Sequence, residues 1–201
     1  MNMPDKKRNR QRIITAAVSL FRHTHNVKKV SLETIAREAG VSPATIYNNF
    51  GNRENLLYEV IKVLVKENIE RNSSIVRSDI PFPQKISGIM SGKLDMASQL
   101  DSELINKMVS QDITIAPFID KIYENEIKIL WHELIIAGKK EGYIDDALDD
   151  KILLIYLDVV KEGLGARKNV FQDIKDNLNL IKQLTQIMFY GFLKKDIGLF
   201  Q

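Results

Sequence analysis

The sequence predicts an all-α fold, and three features of the chain support that prediction. Apolar residues recur three and four positions apart along nearly all of the 201 residues, whereas no stretch alternates apolar and polar residues as a half-buried strand would. Serine, asparagine and proline stand where these repeats begin, and glycine stands where several of them end. Hydrophobic residues make up 44% of the chain, which is enough for one large or two modest helical cores.

The first predicted helix spans residues 9–23. Its apolar residues form the stripe of an amphipathic helix: Ile13, Ile14, Ala17, Leu20 and Phe21. The charged start of the chain is similar to that of a signal peptide, but RHTHN follows the apolar segment where a small-residue cleavage site would be needed. No apolar stretch approaches the roughly 20 residues that cross a bilayer. We therefore expect a soluble, cytoplasmic protein, and the absence of cysteine fits a reducing compartment.

The next two predicted helices, LETIAREA (32–39) and PATIYNNF (43–50), are short and lie close together. Ser31 and Ser42 are their N-caps, and Pro43 occupies the first helical position, where its missing N–H costs nothing. Gly40 supplies the left-handed conformation that ends the first of the two. Two short helices joined by a three- or four-residue turn containing glycine predict a helix-turn-helix.

The second helix of this motif presents unusual residues. Ile46 and Phe50 are four positions apart and can face the core together. Their burial leaves a set of small and polar residues to face elsewhere, and these are residue types that read the major groove of DNA: Ala44, Thr45, Tyr47, Asn48 and Asn49.

Asn52 is the predicted N-cap of a fourth helix that reaches about residue 72, and a segment rich in proline and turn formers follows it. Further helices are predicted at 84–98, 102–111, 117–140, 149–167 and 174–194. The last two are apolar on more sides than one core contact uses. Either a second subunit covers the excess, or both are central helices of a thick monomeric bundle.

Charge is distributed unevenly along the chain. Residues 1–53 hold ten Lys and Arg against three acidic residues, a net charge of +7, whereas the whole chain carries only +3. A basic first quarter on a mildly acidic body indicates that one end of the molecule meets a polyanion.

These features together resemble the TetR family of tetracycline-repressor-like transcriptional regulators. The resemblance is carried by IITAAVSLF, SLETIAREAGVSPATIYNNF and GNRENLLYEVI, and it covers residues 10–61; beyond that point only the helical layout is similar. Two departures are a connection after Phe21 that is one residue longer and Asn26 in place of the usual glycine, where asparagine tolerates the left-handed conformation.

The resemblance implies a homodimer that binds double-stranded DNA and holds a small-molecule pocket. It divides the chain into a helix-turn-helix domain at 1–52 and a helical effector-binding and dimerisation domain at 53–201, with the last two helices forming the dimer. By position, it implies phosphate contacts from Ser31 and Tyr47, base contacts from Ala44, Thr45 and Asn48, and backbone contacts from Asn49 and Arg53. The expected role is a repressor that a small apolar ligand releases from a pseudo-palindromic operator.

The side chains of the third helix limit which base contacts it can make. It contains no Lys or Arg, so the common arginine contact to guanine is absent from it. Asn48 can pair with adenine, and the methyl groups of Ala44 and Thr45 can meet a thymine methyl. The N-terminus of the Ser42-capped helix is a further phosphate-binding candidate. Basic residues near the start of the chain either contact phosphates or form a solvated tail: Lys6, Lys7, Arg8 and Arg10.

The effector pocket is predicted from apolar residues with a few polar atoms, although each also suits an ordinary core position: Met90, Met96, Met108, Phe118, Tyr123, Trp131 and Tyr156. They favour an apolar or aromatic effector. The alternative function keeps the DNA-binding region but has the helical body answer to a protein partner.

Enzyme functions are not favoured. His23 and His25 lack an obvious third metal ligand, and the aspartates at 145–150 have the spacing of helix caps. The sequence holds no nucleophile elbow, P-loop or dinucleotide fingerprint. We expect neither a metal nor a cofactor.

Overall fold

A computed structural model describes residues 3–24, 30–99, 115–165 and 178–191, and it confirms the all-α prediction. In chain order the helices are α1 (Met3–Thr24), α2 (Leu32–Ala39), α3 (Pro43–Phe50), α4 (Arg53–Val76), α5 (Phe82–Gln99), α6 (Ala116–Ile122), α7 (Lys128–Lys140), α8 (Asp150–Gly165) and α9 (Leu178–Tyr190). A π-helical turn, Tyr123–Ile127, joins α6 to α7, so that the segment 116–140 is helical throughout.

The first three helices form the head of the molecule, with α1 packed across α2, α3 and the start of α4. Its core consists of fully buried side chains from each element, among them Ile13, Phe21, Ile35, Ile46 and Leu57. Because α2 and α3 are only eight residues each, their stability depends on this packing rather than on helix propensity.

The long helix α4 connects the head to the rest of the molecule. It has 24 residues, a length of about 36 Å. It packs against α1 and α3 near its start and against α5 and α7 further along. Buried residues follow one another along its whole length: Leu56, Leu57, Val60, Ile61, Leu64, Val65, Ile69 and Val76. The helix therefore shares its apolar face with both parts of the chain.

Side chains fix the junction where α4, α5 and α7 meet. Lys85 is buried, and its ammonium donates to the carbonyl of Val76, the last residue of α4, at 2.6 Å and to the carbonyl of Ser78 just beyond it. The carboxylate of Glu141 accepts the N–H of Phe82 at 2.9 Å and so caps the start of α5. These bonds satisfy helix ends that would otherwise lie unpaired next to the core.

Helix boundaries agree with the sequence predictions where local capping signals exist. The predicted bounds of α2 and α3 are confirmed, and Gly142, with a φ of 76°, follows α7 as predicted. In contrast, α1 begins at Met3 rather than at residue 9. The predicted start was too late because the first turns of α1 are polar and solvent-exposed and show no apolar repeat. The predicted helix at 102–111 and the substitution at Asn26 lie outside the described residues.

In the described ranges, no helix is both long enough and apolar enough to cross a membrane.

Candidate nucleic-acid interface

The turn between α2 and α3 has the hydrogen bonds of a Schellman motif. Gly40 has a φ of 62°, and its N–H donates to Arg37 O at 3.1 Å while the N–H of Val41 donates to Ala36 O at 2.9 Å. The guanidinium of Arg12 in α1 donates to Gly40 O at 3.3 Å. The angle between α2 and α3 is therefore fixed both by the turn and by α1.

The side chain of Ser42 caps the start of α3 and makes two contacts with Thr45. Ser42 Oγ accepts the N–H of Thr45 at 3.2 Å and lies 2.9 Å from the Thr45 hydroxyl. Pro43 occupies the first turn, as the sequence predicts. With its hydroxyl engaged by Ser42, Thr45 has its methyl group left for an apolar contact.

One face of α3 is buried and the opposite face is open to solvent. Ile46 and Phe50 are 1% and 6% exposed, and they anchor the helix in the head. Ala44, Tyr47 and Asn48 are exposed, with Tyr47 at 53%. Because residues three and four positions apart share a helix face, these three side chains form a single outward surface.

Two of the predicted backbone-contacting residues are engaged within the protein. Asn49 is half-buried, and its amide nitrogen donates to Thr45 O at 2.7 Å along the same helix. Arg53 donates to Val30 O at 2.6 Å and so ties the start of α4 to the segment before α2.

The N-terminus of α2 carries a serine and a carboxylate. Ser31 Oγ accepts the N–H of Thr34 at 3.1 Å and caps the helix. The pKa of Glu33 is lowered, first by a hydrogen bond from its own backbone N–H and then by Ser31, so Glu33 stays ionised at this end.

The basic residues in the first turns of α1, from Lys6 to Arg10, fall into two groups. Lys6, Lys7 and Arg8 are exposed on its first turns, and Arg8 lies 3.5 Å from Asp5. Arg10 instead packs its guanidinium over the Phe50 ring, 4.8 Å from the centroid, and pairs with a carboxylate of α4 at 3.1 Å. Arg10 therefore braces α3 against α4.

This arrangement is a rigid, capped helix that projects a small neutral face between basic residues. The head can present that face to a groove about the width of a helix, as helix-turn-helix proteins do with their second helix. A family model described as "Bacterial regulatory proteins, tetR family" matches residues 13–60, which run from α1 into α4. The chain belongs to the TetR family. As a TetR-family member it is a DNA-binding transcriptional regulator and not an enzyme.

Two similar proteins are regulators by name. The "Fatty acid metabolism regulator protein" of Bacillus subtilis (strain 168) is 23% identical over 153 residues, which are 75% of this chain and 78% of that protein. The "HTH-type transcriptional regulator BetI" of Agrobacterium fabrum is 34% identical over 83 residues, which are 40% of this chain and 39% of BetI.

The TetR fold extends through most of the molecule. A crystal structure of the transcriptional regulator FadR from Bacillus subtilis, in complex with stearoyl-CoA, superposes with a TM-score of 0.56 at 20% identity. The alignment covers 90% of this chain and 98% of that one. At this identity the likeness concerns the fold.

The predicted effector residues lie in different parts of the TetR body. Phe118 of α6 packs edge-on against Tyr58 of α4, with 6.2 Å between ring centroids. Tyr123 is buried in the π-helical turn and donates to Asp158 Oδ1 at 2.6 Å, while burial and that carboxylate raise its pKa. The Tyr156 hydroxyl donates to a backbone carbonyl of α9 at 3.1 Å. These three residues do not form one group through the described contacts.

Two further predicted effector residues, Met90 and Trp131, lie on α5 and α7. Met90 is buried, and Trp131 lies 5.9 Å from the Phe189 ring. Met96 belongs to α5, but its side chain and the whole of Met108 lie outside what the structure describes. In the described part of the chain, no three His, Asp or Glu side chains are arranged to hold a metal.

Sequence reasoning missed Lys93, whose ammonium lies 5.7 Å from the centroid of the Trp131 ring. A signal was present. Ile86, Ile89, Met90 and Lys93 have the i, i+3, i+4, i+7 spacing of one apolar stripe, and the lysine is its only charged member.

Proposed function

We propose that this TetR-family protein is a homodimeric repressor that binds a pseudo-palindromic operator and leaves it when a small hydrophobic effector binds the helical body. The exposed face of α3, formed by Ala44, Tyr47 and Asn48, is the observation that carries the DNA-binding part of this proposal. In the proposal, residues 1–52 bind DNA and residues 53–201 bind the effector and the second subunit.

Base recognition in this proposal depends on a neutral helix. Asn48 makes no hydrogen bond to another described residue, so its amide is free to pair with the N6 and N7 groups of adenine. The methyl groups of Ala44 and Thr45 suit a thymine methyl. The preferred operator therefore has A·T pairs under α3.

Phosphate contacts position the same helix without specifying sequence. The Ser42-capped N-terminus of α3 and the Ser31-capped N-terminus of α2 offer backbone N–H groups, and Tyr47 offers a hydroxyl. Asn49 and Arg53 are proposed to hold the sugar-phosphate backbone beside them. The exposed cations of α1 add a contact that weakens as salt rises.

Dimerisation explains the apolar surface of α8. Ile152, Ile155 and Val159 are 58%, 47% and 62% exposed and have the i, i+3, i+7 spacing of one face. Ile187 of α9 is 70% exposed. A two-fold axis through these helices would bury both surfaces, and the paired α3 helices would then meet half-sites about 34 to 36 Å apart.

Effector binding can reach the head through a continuous set of contacts along α4. Phe118 of α6 contacts Tyr58, and the Lys62 ammonium lies 5.1 Å and 5.9 Å from the centroids of the Tyr58 and Phe118 rings. Lys62 also pairs with Glu59 at 3.1 Å, and Glu59 pairs with Arg10. Arg10 rests on the Phe50 ring at the end of α3, so a shift of α6 would displace groups that hold α3.

A hydrophobic effector is supported by the buried Met90 and by the contact between Trp131 and Phe189. The FadR structure of the same fold was determined with stearoyl-CoA, a ligand with a long apolar chain. Release of DNA requires that the effector bind the two conformations with different affinity.

The test is enrichment of fragmented genomic DNA by the purified protein, together with its mass in solution by light scattering. We expect a short pseudo-palindrome and about twice the chain mass of 23.0 kDa. Val159→Glu should yield monomers, whereas Ile80→Glu, at an exposed isoleucine outside α8 and α9, should not. A protein that selects no sequence, or a wild type that is monomeric, would contradict the proposal.

A further inference from the structure

Lys93 continues the buried face of α5. Ile86, Ile89 and Met90, which share its helical stripe, are 0%, 5% and 4% exposed. Lys93 lies one turn beyond Ile89 and Met90, and its side chain keeps only part of its accessible surface. The aliphatic stem of the lysine is therefore directed toward the interior of the body.

Among the described residues, the neighbour of the Lys93 ammonium is aromatic rather than acidic. Its nitrogen lies 5.7 Å from the centroid of the Trp131 ring, which in turn contacts Phe189. A cation at this distance from an indole face is stabilised by the ring quadrupole, but only modestly. Among the described residues, no carboxylate pairs with this ammonium. Burial accordingly lowers the pKa of Lys93.

Other buried or half-buried lysines in the described part of the body have oxygen partners. Lys85 donates to two backbone carbonyls. The remaining examples each pair with a carboxylate at 2.5 to 3.3 Å: Lys62, Lys128, Lys139 and Lys161. Because a buried charge is costly unless it is paired, Lys93 differs from these residues in that no described residue supplies an anion to it.

We propose that the effector is an apolar monocarboxylate and that Lys93 binds its carboxylate beside Trp131. This inference rests on the proposed effector-binding function and specifies its ligand class. One ammonium balances one negative charge, whereas a dianion would leave a surplus charge in the interior. Met90 and Phe189 provide the apolar contacts for the rest of the ligand, and methionine adapts to chains or rings of different shape. The inference adds an anionic group to the apolar effector that the sequence predicts.

The experiment uses the intrinsic fluorescence of Trp131, the only tryptophan of the chain. Wild type is titrated with benzoate and with alkanoates from hexanoate to hexadecanoate, each beside the alcohol of the same skeleton. We expect at least one carboxylate to bind more tightly than its alcohol. Lys93→Met should weaken binding of that carboxylate by roughly 10- to 100-fold and leave binding of the alcohol unchanged. Lys93→Arg should retain the preference for the carboxylate over the alcohol. The matched control is Lys66→Met, which removes the same charge from an exposed position.

A second measurement does not depend on the choice of ligand. Without ligand, Lys93→Met should unfold at a temperature equal to or above that of wild type, because it removes an unpaired interior charge. A clear fall in the unfolding temperature would show that Lys93 has a structural partner and would overturn the inference.

DNA retention measured in parallel separates this inference from the proposed function. If wild type binds its selected DNA but no carboxylate is preferred over its alcohol, the Lys93 inference is overturned and the DNA-binding function stands. If a carboxylate binds in a Lys93-dependent way but the DNA stays bound, the carboxylate site is supported and the release mechanism fails.

Discussion

Replacement of Asn48 by alanine should remove sequence selection without unfolding the head. Asn48 is exposed on α3 and makes no hydrogen bond to another described residue, so its side chain contributes no contact that the fold requires. Alanine is also the better helix former, by up to about 0.7 kcal/mol. Any loss of binding can therefore be attributed to the DNA contact.

The expected loss follows from the geometry of a two-fold complex. A bidentate asparagine contact to adenine contributes about 1 to 3 kcal/mol of discrimination. The proposed dimer presents Asn48 twice, so the variant should lose about 2 to 6 kcal/mol on its selected site, which is about 30-fold to 2 × 10⁴-fold in affinity. Affinity for random DNA should change little, because asparagine is neutral and contributes nothing to the phosphate term.

The assay is fluorescence anisotropy with the selected site and with random DNA at three or more salt concentrations. The slope of log affinity against log salt should be the same for wild type and Asn48→Ala. The matched control is Asn125→Ala, at an exposed asparagine of the body that bonds only within its own helix. Equal losses on both DNAs, or retention of the same preferred sequence, would refute the assignment of Asn48 to base reading.

Three further predictions concern coupling and stability. Phe118→Ala should bind DNA normally but should need a higher effector concentration for release, because the contact between Phe118 of α6 and Tyr58 of α4 is lost. Titration of the protein–DNA complex with effector measures this concentration. Gly138→Ala places a Cβ 2.8 Å from the Phe82 ring and should cost about 1 to 3 kcal/mol in chemical denaturation. The pKa of Asp150 is lowered, chiefly by its hydrogen bond from Lys139, so the stabilisation it provides is complete above its ordinary pKa near 4 and is lost as pH falls through the depressed value. The temperature of thermal unfolding should therefore fall more steeply between pH 6 and pH 3 for wild type than for Asp150→Asn.

The helix-turn-helix was predictable because its determinants are local. Ser31, Gly40, Ser42 and Pro43 each act within one helical turn of their own position, and the structure gives α2 and α3 the predicted bounds. The outward-facing residues of α3 followed from helical spacing once Ile46 and Phe50 were assigned to the core.

Contacts between residues far apart in the sequence could not be predicted in the same way. Arg12 reaches Gly40 across 28 positions and Arg53 reaches Val30 across 23, and no local pattern specifies such a pair. The π-helical turn before α7 likewise has no cap or apolar period that marks it. Lys93 did leave a signal in the apolar stripe of α5, but the pocket prediction considered only residues that were themselves apolar or aromatic.

The position of Arg10 limits how the head can use its charge. Its guanidinium rests on Phe50 and pairs with Glu59, so the side chain that sequence alone offers as a phosphate contact instead links α3 to α4. Electrostatic attraction of DNA by the first turns of α1 then depends on the exposed residues Lys6, Lys7 and Arg8. Displacement of Glu59, in contrast, would remove the carboxylate that holds Arg10 against Phe50 at the end of α3. A coupling of about 1 to 3 kcal/mol in each subunit of the proposed dimer sums to about 2 to 6 kcal/mol, and the upper end of that range is enough to shift an operator from almost fully bound to almost fully free.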